Sequence, residues 1–236
     1  MLFGFSTGVL HKETDAKHAL YIMKQLGCQA VELGFIRKSR IDDGWLESIE
    51  AKDLVGFKYV SFHAPKMYYK NNEETHEILN LIENFYKKVY PLDMVVFHPD
   101  NVIELEVFNN LPFPVGFENM DNRKPFGKTS SDLLKLLKKN SKFHFILDVN
   151  HLKTNNQDMP QLDEFYNKLG TRLAHYHVSG LTSKLTHAPL YLTKQLDLLA
   201  AVRDTSKPII CESLLTSGNI EKEKKYIEGQ LLSLKK

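Results

Sequence analysis

YVSFHAP (59–65) and MVVFHPD (94–100) are short runs rich in apolar and β-branched residues, and ETHEILNLIENFYKKVY (74–90) lies between them. In the middle segment the apolar residues recur every three or four positions, which predicts an amphipathic helix with one buried face. Two buried strands joined through a single helix pair in parallel by a right-handed crossover. The three segments therefore predict one β/α/β unit.

The same alternation extends over the whole sequence. Six further strand-like runs are LFGFSTG (2–8), QAVELGF (29–35), PVGFENM (114–120), FHFILDV (143–149), LAHYHVSG (173–180) and PIICESL (208–214). Eight units of roughly 30 residues suit a (β/α)8 barrel, whose usual length is about 250 residues. We therefore predict an α/β fold with a single TIM-barrel domain over residues 1–236. An open doubly wound sheet is disfavoured, because no GxGxxG motif follows the first run.

One helix start is also visible in the sequence. The segment SDLLKLLKK (131–139) repeats the apolar spacing of a surface helix. Serine is a favoured residue at the first, capping position of a helix. Ser131 is therefore predicted to be the N-cap.

The composition is that of a folded protein and narrows the functional class. The net charge is +2, with 42% hydrophobic and 25% charged residues, which excludes a disordered chain and a strongly basic nucleic-acid coat protein. We expect no membrane span and no signal peptide, since no apolar run approaches about 18 residues and the first residues lack a basic region. Cys28 and Cys211 lie in apolar runs and indicate buried thiols in a reducing cytoplasm. Nothing in the sequence calls for an obligate protein partner.

Polar residues are concentrated where the predicted strands end. Six successive units carry one or two of them there: His63, His98, Glu118, Asp148, His151, His177 and Glu212. The carboxyl ends of barrel strands meet at one rim, where active sites of this fold lie. Buried carboxylates gathered at one rim repel one another unless a cation neutralises them, so a metal site is favoured over a purely structural polar network. The mixture of ligands suits zinc, manganese or iron(II) better than calcium.

The strand ends also carry a family resemblance. The motifs are SFHAP (61–65), FHPD (97–100), GFENMDN (116–122), LDVNH (147–151), YHVSG (176–180) followed by THAPL (186–190), and ICES (210–213). In this order and spacing they resemble the xylose isomerase-like TIM-barrel superfamily over residues 59–214. The pattern is most similar to the endonuclease IV branch (AP endonuclease family 2), which cleaves DNA beside abasic sites with a trinuclear zinc centre.

The resemblance implies a ligand set for each metal. It assigns His63, His98 and a bridging Glu118 to a first ion, and Glu118 together with Asp148, His177 and Glu212 to a second. A third ion would use His151 and His187, but Leu185 stands where the endonucleases have an aspartate. The resemblance therefore implies two zinc ions, with a third site that is incomplete in this chain.

A second enzyme class shares part of the pattern. The sugar isomerases and epimerases of the superfamily resemble the chain at Glu118, Asp148, His177 and Glu212, which there hold one divalent ion. In that alternative Glu118 and Glu212 are the acid/base pair and His151 touches substrate oxygens. The motif VELGF (31–35), which contains Glu32, also resembles that branch. A non-enzymatic binder of metal or ligand is the third hypothesis, and the presence of both His63 and His98 favours the hydrolase.

The mechanism expected of the hydrolase is hydrolysis of a phosphodiester by a hydroxide shared between two metals. Glu118, Glu212 and His187 are the predicted catalytic residues, with His187 either on a third ion or, as imidazolium, at the leaving group. Tyr68 and Arg123 lie in loops after strands and are the candidates for substrate binding. Because the loops are short, a small phosphorylated or sugar-like substrate is favoured over DNA.

Overall fold

The computed structural model describes residues 1–234, and it contains a closed barrel of eight parallel strands. The predicted (β/α)8 TIM barrel is confirmed. Around the barrel the strands follow one another in chain order, and the last strand pairs with the first. The barrel strands are β1 (Phe3–Ser6), β2 (Ala30–Gly34), β3 (Tyr59–His63), β4 (Met94–Phe97), β5 (Val115–Glu118), β6 (His144–Asp148), β7 (Leu173–Val178) and β10 (Ile209–Cys211). A small antiparallel hairpin, β8 (Gly180–Leu181) with β9 (His187–Ala188), follows β7.

Helices connect most of these strands. They are α1 (Ala16–Gln25), α2 (Ser39–Asp42), α3 (Ala51–Leu54), α4 (Glu73–Lys88), α5 (Ser130–Leu137), α6 (Val149–Asn155), α7 (Leu162–Leu169), α8 (Leu190–Thr193), α9 (Leu196–Ala200) and α10 (Ile220–Ser233). Between β4 and β5 the chain forms two short 3-10 turns instead of an α-helix. Among residues 1–234, no helix has the length and apolar character needed to cross a membrane.

The predicted cap of α5 is wrong by two residues. Thr129, not Ser131, is the N-cap, and its hydroxyl accepts a hydrogen bond from the backbone N–H of Asp132. The Asp132 carboxylate in turn accepts from the Thr129 N–H, which completes a capping box. Ser131 lies within the first turn, because the reciprocal pair outcompetes a lone serine hydroxyl.

Alternation along the strands separates two kinds of interior. Outward residues such as Phe62, Val95 and Phe97 join the large core between strands and helices. Inward residues form only a small apolar group low in the barrel, made of Met94, Val96 and Ile146. Above that group the inward positions are polar. The barrel therefore presents a buried polar layer to its C-terminal rim.

The hairpin after β7 places His187 over this rim. Asn150 Nδ2 donates to the Gly180 carbonyl at 2.8 Å, and Leu181 N–H donates to Gln195 Oε1 at 2.7 Å. Beyond the hairpin, the buried Glu223 carboxylate accepts from the N–H groups of Leu190 and Tyr191. These bonds fix a loop that has little regular structure of its own.

Candidate metal centre

The predicted rim residues meet inside the C-terminal mouth of the barrel. His63, Glu118 and Asp148 are the last residues of their strands, and each is at most 3% exposed. His177 is fully buried in β7, while His98 and Glu212 come directly after β4 and β10. Parallel strands in register bring their carboxyl ends to the same level, so seven side chains distant in sequence face one space. The seven are His63, His98, Glu118, Asp148, His151, His177 and Glu212.

His63, His98 and Glu118 form the first ligand group. The Nε2 atoms of His63 and His98 lie 3.4 Å and 3.3 Å from Glu118 Oε2. Ligands about 2.0–2.1 Å from a tetrahedral zinc ion lie roughly 3.3–3.4 Å from one another. Within residues 1–234 Glu118 Oε2 has no hydrogen-bond partner, although it is buried. A buried carboxylate oxygen that faces two imidazole nitrogens at this spacing fits a metal ligand.

The second ligand group contains the other oxygen of the same carboxylate. Glu118 Oε1 lies 3.0 Å from His177 Nδ1, which is 3.8 Å from Glu212 Oε1. Asp148 completes this group, and its buried Oδ2 also lacks a hydrogen-bond partner among the described residues. The ligand atoms of all four residues lie within 4.8 Å of one another. Glu118 therefore belongs to both groups, with one oxygen directed to each.

Backbone and amide contacts hold the Asp148 segment. The side chain of Asn119 forms two hydrogen bonds with the Asp148 backbone, at 2.8 Å and 2.9 Å. Asp148 Oδ1 accepts from the N–H of His151, which caps α6. The Nδ1–H of His151 donates to the Asn119 carbonyl at 2.7 Å, so Nε2 is the nitrogen left for a ligand.

A third cluster consists of Asp148, His151 and His187. The His151 and His187 rings are 5.8 Å apart, and His187 Nδ1 lies 3.0 Å from Ser179 Oγ. Leu185 occupies the hairpin loop in the left-handed region, at φ 55°, and brings no carboxylate to the cluster. Asp121 approaches from the opposite side, with Oδ2 4.0 Å from His151 Nε2.

Glu32 is a residue of the site whose position sequence reasoning missed. Its Oε2 atom lies 3.2 Å from His177 Nε2 and accepts from the Ser61 hydroxyl at 2.9 Å. His175 lies below, with its Nε2 3.0 Å from His177 Nε2 and its Nδ1 2.8 Å from the Tyr59 hydroxyl. The signal in the sequence was a glutamate at a buried strand position. His175 thus lies deeper in the barrel than His177 and forms hydrogen bonds there.

The charges of the first group are strongly coupled. Although burial opposes a charge on His63, its contact with Glu118 and the nearby Glu32 raise its pKa to about 9. At His98 burial prevails and, with the charge of His63, lowers the pKa to about 4. Burial also opposes the charge on Glu118, but His177 and His63 hold its pKa well below the usual range. Near neutral pH His63 is therefore the positively charged histidine of this group, and His98 is neutral.

The pKa values of Asp148 and His187 are shifted as well. Burial, helped by the charges of Glu118 and Glu212, raises the pKa of Asp148 to about 7. Burial and the neighbouring His151 lower the pKa of His187 to about 4. His187 is therefore neutral at pH 7, which argues against the imidazolium role considered from the sequence.

Two cavities open onto the centre. One of about 280 Å³ reaches His63, His187 and Glu212, and another of about 590 Å³ reaches His98 and His151. The predicted substrate-binding residues lie at these cavities: Tyr68, 64% exposed, lines the larger one, and Arg123 lines both. The Arg123 guanidinium is held by a bidentate ion pair with Asp121, at 2.9 Å and 3.0 Å.

Comparison with known proteins gives structural relatives. The chain matches no protein-family model and no curated protein sequence. Among solved structures it is similar to a D-tagatose 3-epimerase-like protein, with 17% identity, a TM-score of 0.71, and coverage of 100% of this chain and 98% of the other. IolI protein, crystallised with a zinc atom, has 15% identity and a TM-score of 0.70, covering 99% and 98%.

A third similar structure carries the name of a nuclease. AP endonuclease, family 2, from Brucella melitensis has 13% identity and a TM-score of 0.63, covering 96% of this chain and 98% of that one. Identities this low show a shared fold and leave the reaction open. The protein has the xylose isomerase-like TIM-barrel fold.

Proposed function

We propose that the protein is a divalent-metal-dependent hydrolase of phosphodiester bonds, similar to endonuclease IV in the design of its site. The observation that carries this proposal is the division of the Glu118 carboxylate between two ligand groups. Its Oε2 faces His63 and His98, and its Oε1 faces His177. A carboxylate shared in this way could serve two neighbouring metal ions, such as the pairs that catalyse phosphodiester hydrolysis.

Each ion would be held by a different set of side chains. His63 and His98 would hold one ion, and Asp148, His177 and Glu212 the other, with Glu118 between them. When bound, two such ions would supply a water molecule of lowered pKa and positive charge for a phosphodiester. Half-buried His187, held by Ser179, faces the same space and is placed to contact the leaving group or, with His151, a further ion.

We infer zinc as the preferred metal, with manganese or iron as substitutes. Three histidine nitrogens and three carboxylates make up the two groups, and imidazole ligands favour zinc and iron over calcium and magnesium. The buried free thiols of Cys28 and Cys211 agree with the reducing cytoplasm that we propose as the location.

The substrate we propose is a small phosphorylated molecule. The two cavities have volumes of about 280 Å³ and 590 Å³, which is the range of small-molecule sites. Arg123, Lys66 and Lys124 line them and supply positive charge for phosphate oxygens. DNA is the second candidate substrate, and a cleavage assay with DNA tests it.

One observation favours a second candidate function, a single-metal sugar epimerase or isomerase. The group of Glu118, Asp148, His177 and Glu212 is complete without His63 and His98. In that case Glu118 and Glu212 act as an acid/base pair on the substrate carbon. Two of the similar structures carry the names of an epimerase-like protein and a zinc-bound IolI.

The test is metal content and activity of the purified protein beside the double variant His63→Ala/His98→Ala. We expect about two ions per chain in the parent, about one in the variant, and loss of hydrolysis of bis(p-nitrophenyl) phosphate. The exposed pair His18→Ala/His76→Ala is the matched control and should change neither. Unchanged metal content together with turnover of ketoses would overturn the hydrolase and favour the epimerase.

A further inference from the structure

Arg40 is a buried cation beside the metal centre. Its side chain is packed so that only 7% of the residue is exposed, and one guanidinium nitrogen, Nη1, donates to the Gly34 carbonyl at 3.1 Å. The guanidinium lies over the Trp45 ring, 5.3 Å from its centroid. Within residues 1–234 no carboxylate lies within ion-pair distance of Arg40. A buried charge without a counterion is costly and calls for an anion.

The surroundings of Arg40 contain a second cation, Arg37, and an imidazole, His11. Arg37 and His11 line the same cavity of about 280 Å³. Burial and the charge of Arg37 lower the pKa of Arg40, and burial together with both arginines lowers the pKa of His11. Mutual repulsion of this kind is relieved when a negatively charged group binds between the cations.

The cavity joins this positive group to the metal centre. Its far wall is formed by His63, His187 and Glu212. Gly8 lines the cavity as well, and a Cβ placed there would lie 4.0 Å from Arg40 Nη1, so this glycine and the guanidinium lie side by side in the cavity wall. A molecule held at the metals therefore has room to extend toward Arg40.

We propose that Arg40, Arg37 and His11 form a subsite for a terminal phosphate group of the substrate, separate from the phosphodiester at the metals. Two guanidinium groups match a dianionic phosphate better than a singly charged carboxylate, and arginine binds phosphate oxygens in a bidentate manner. The identity of the whole substrate rests on the proposed hydrolase function. Binding of an anion by these three residues is independent of that function.

The chain offers its own probe, because Trp45 is the single tryptophan and stacks on Arg40. Titration of the purified protein with inorganic phosphate should change Trp45 fluorescence with a dissociation constant of about 1 mM, and calorimetry should follow the same binding. Arg40→Met should weaken phosphate binding at least about tenfold, and the exposed Arg37→Gln, which leaves the core intact, about threefold or more. Arg203→Gln is the matched control, since Arg203 also stacks on an aromatic ring, that of Tyr166, and should bind like the parent.

Two further arms separate this subsite from the metal centre. His63→Ala/His98→Ala should keep the response to phosphate, and Arg40→Met should keep the metal content of the parent. A response that survives in both arginine variants, or one lost only in the histidine variant, would place the anion on the metals and overturn the proposal. So would acetate binding as tightly as phosphate, or no binding by either method.

Discussion

The Nε2 atom of His177 lies 3.2 Å from Glu32 Oε2, and both side chains are fully buried inside the barrel. A carboxylate at Nε2 keeps the proton of a neutral imidazole on that nitrogen, so that Nδ1 presents its lone pair. His177 Nδ1 faces Glu118, in the second ligand group. Glu32 is thus placed to orient a ligand without being one, and Ser61 holds Glu32 in turn.

The exchange Glu32→Gln is expected to weaken metal binding. Loss of the negative charge removes the partner that holds the His177 proton, and such partners contribute about 10–100-fold to metal affinity. Competition with a chromophoric chelator measures the change. Asp93→Asn is the control, because the Asp93 carboxylate accepts a hydrogen bond from the Val60 N–H at the N-terminal end of the barrel, the end opposite to the ligands. Equal affinities in the parent and Glu32→Gln would contradict the positioning role.

Metal affinity is expected to rise with pH up to about 9. Metal ligands bind in their deprotonated forms, and in the metal-free protein the pKa of Asp148 is about 7 and that of His63 about 9. Below these values an ion displaces protons from both groups, and His177, whose pKa the carboxylates of Glu32, Glu212 and Glu118 raise well above its usual value against the effect of burial, adds to the dependence in the same direction. His98, with a pKa of about 4, adds no dependence in this range. Zinc titrations at several pH values test this, and an affinity that falls between pH 6 and about 9 would be inconsistent with it.

The exchange His187→Ala is expected to lower turnover of a phosphodiester by about tenfold when the leaving group is a poor one, because the hydrogen bond that the neutral imidazole would donate to the leaving oxygen is lost. With a good leaving group such as p-nitrophenolate, a role at the leaving oxygen predicts a much smaller loss. A role as metal ligand predicts equal losses for both substrates. Steady-state rates for the two substrates decide between these roles, and the exposed His18→Ala serves as control. Unchanged turnover of both substrates would exclude both roles.

The exchange Gly34→Ala is expected to destabilise the rim by about 1–3 kcal/mol, because overpacking forces the backbone apart. A Cβ at Gly34 would lie 2.7 Å from Ser6 Oγ and 2.8 Å from the Gly8 backbone nitrogen. Gly229→Ala, in the open on α10, meets nothing within 4 Å and should stabilise the protein by up to about 1 kcal/mol. Urea unfolding of both variants gives the comparison. A Gly34→Ala protein as stable as the parent would contradict this prediction, because it would mean that Ser6 and Gly8 can move aside without loss of stability.

The rim residues were predictable because two strong local patterns coincide. Apolar β-branched runs locate the strands, and in a parallel barrel the carboxyl ends of all strands meet, so polar residues such as His63 and Glu118 are brought together by the fold itself. The geometry of the centre was not predictable in the same way. Which oxygen of Glu118 faces which histidine depends on side-chain rotamers, and these are set by packing across the barrel.

Glu32 and Arg40 show the limit more sharply. Glu32 lies in the middle of β2 and Arg40 in the short helix α2 that follows it, and nothing nearby in the chain explains either charge. Glu32 acquires its role from His177, 145 residues away in the chain. Arg40 is notable only because the structure buries it without a carboxylate and opens a cavity beside it.

The sequence by itself determined the barrel and the set of side chains at its rim, because strand periodicity and the alternation of strands with helices are local properties of the chain. Only the tertiary structure decided that Glu118 is shared between two ligand groups, that Glu32 holds His177, and that Arg40 faces a cavity. These relationships join residues on different strands across the barrel. Their distances follow from the closure of the sheet, which no local pattern encodes.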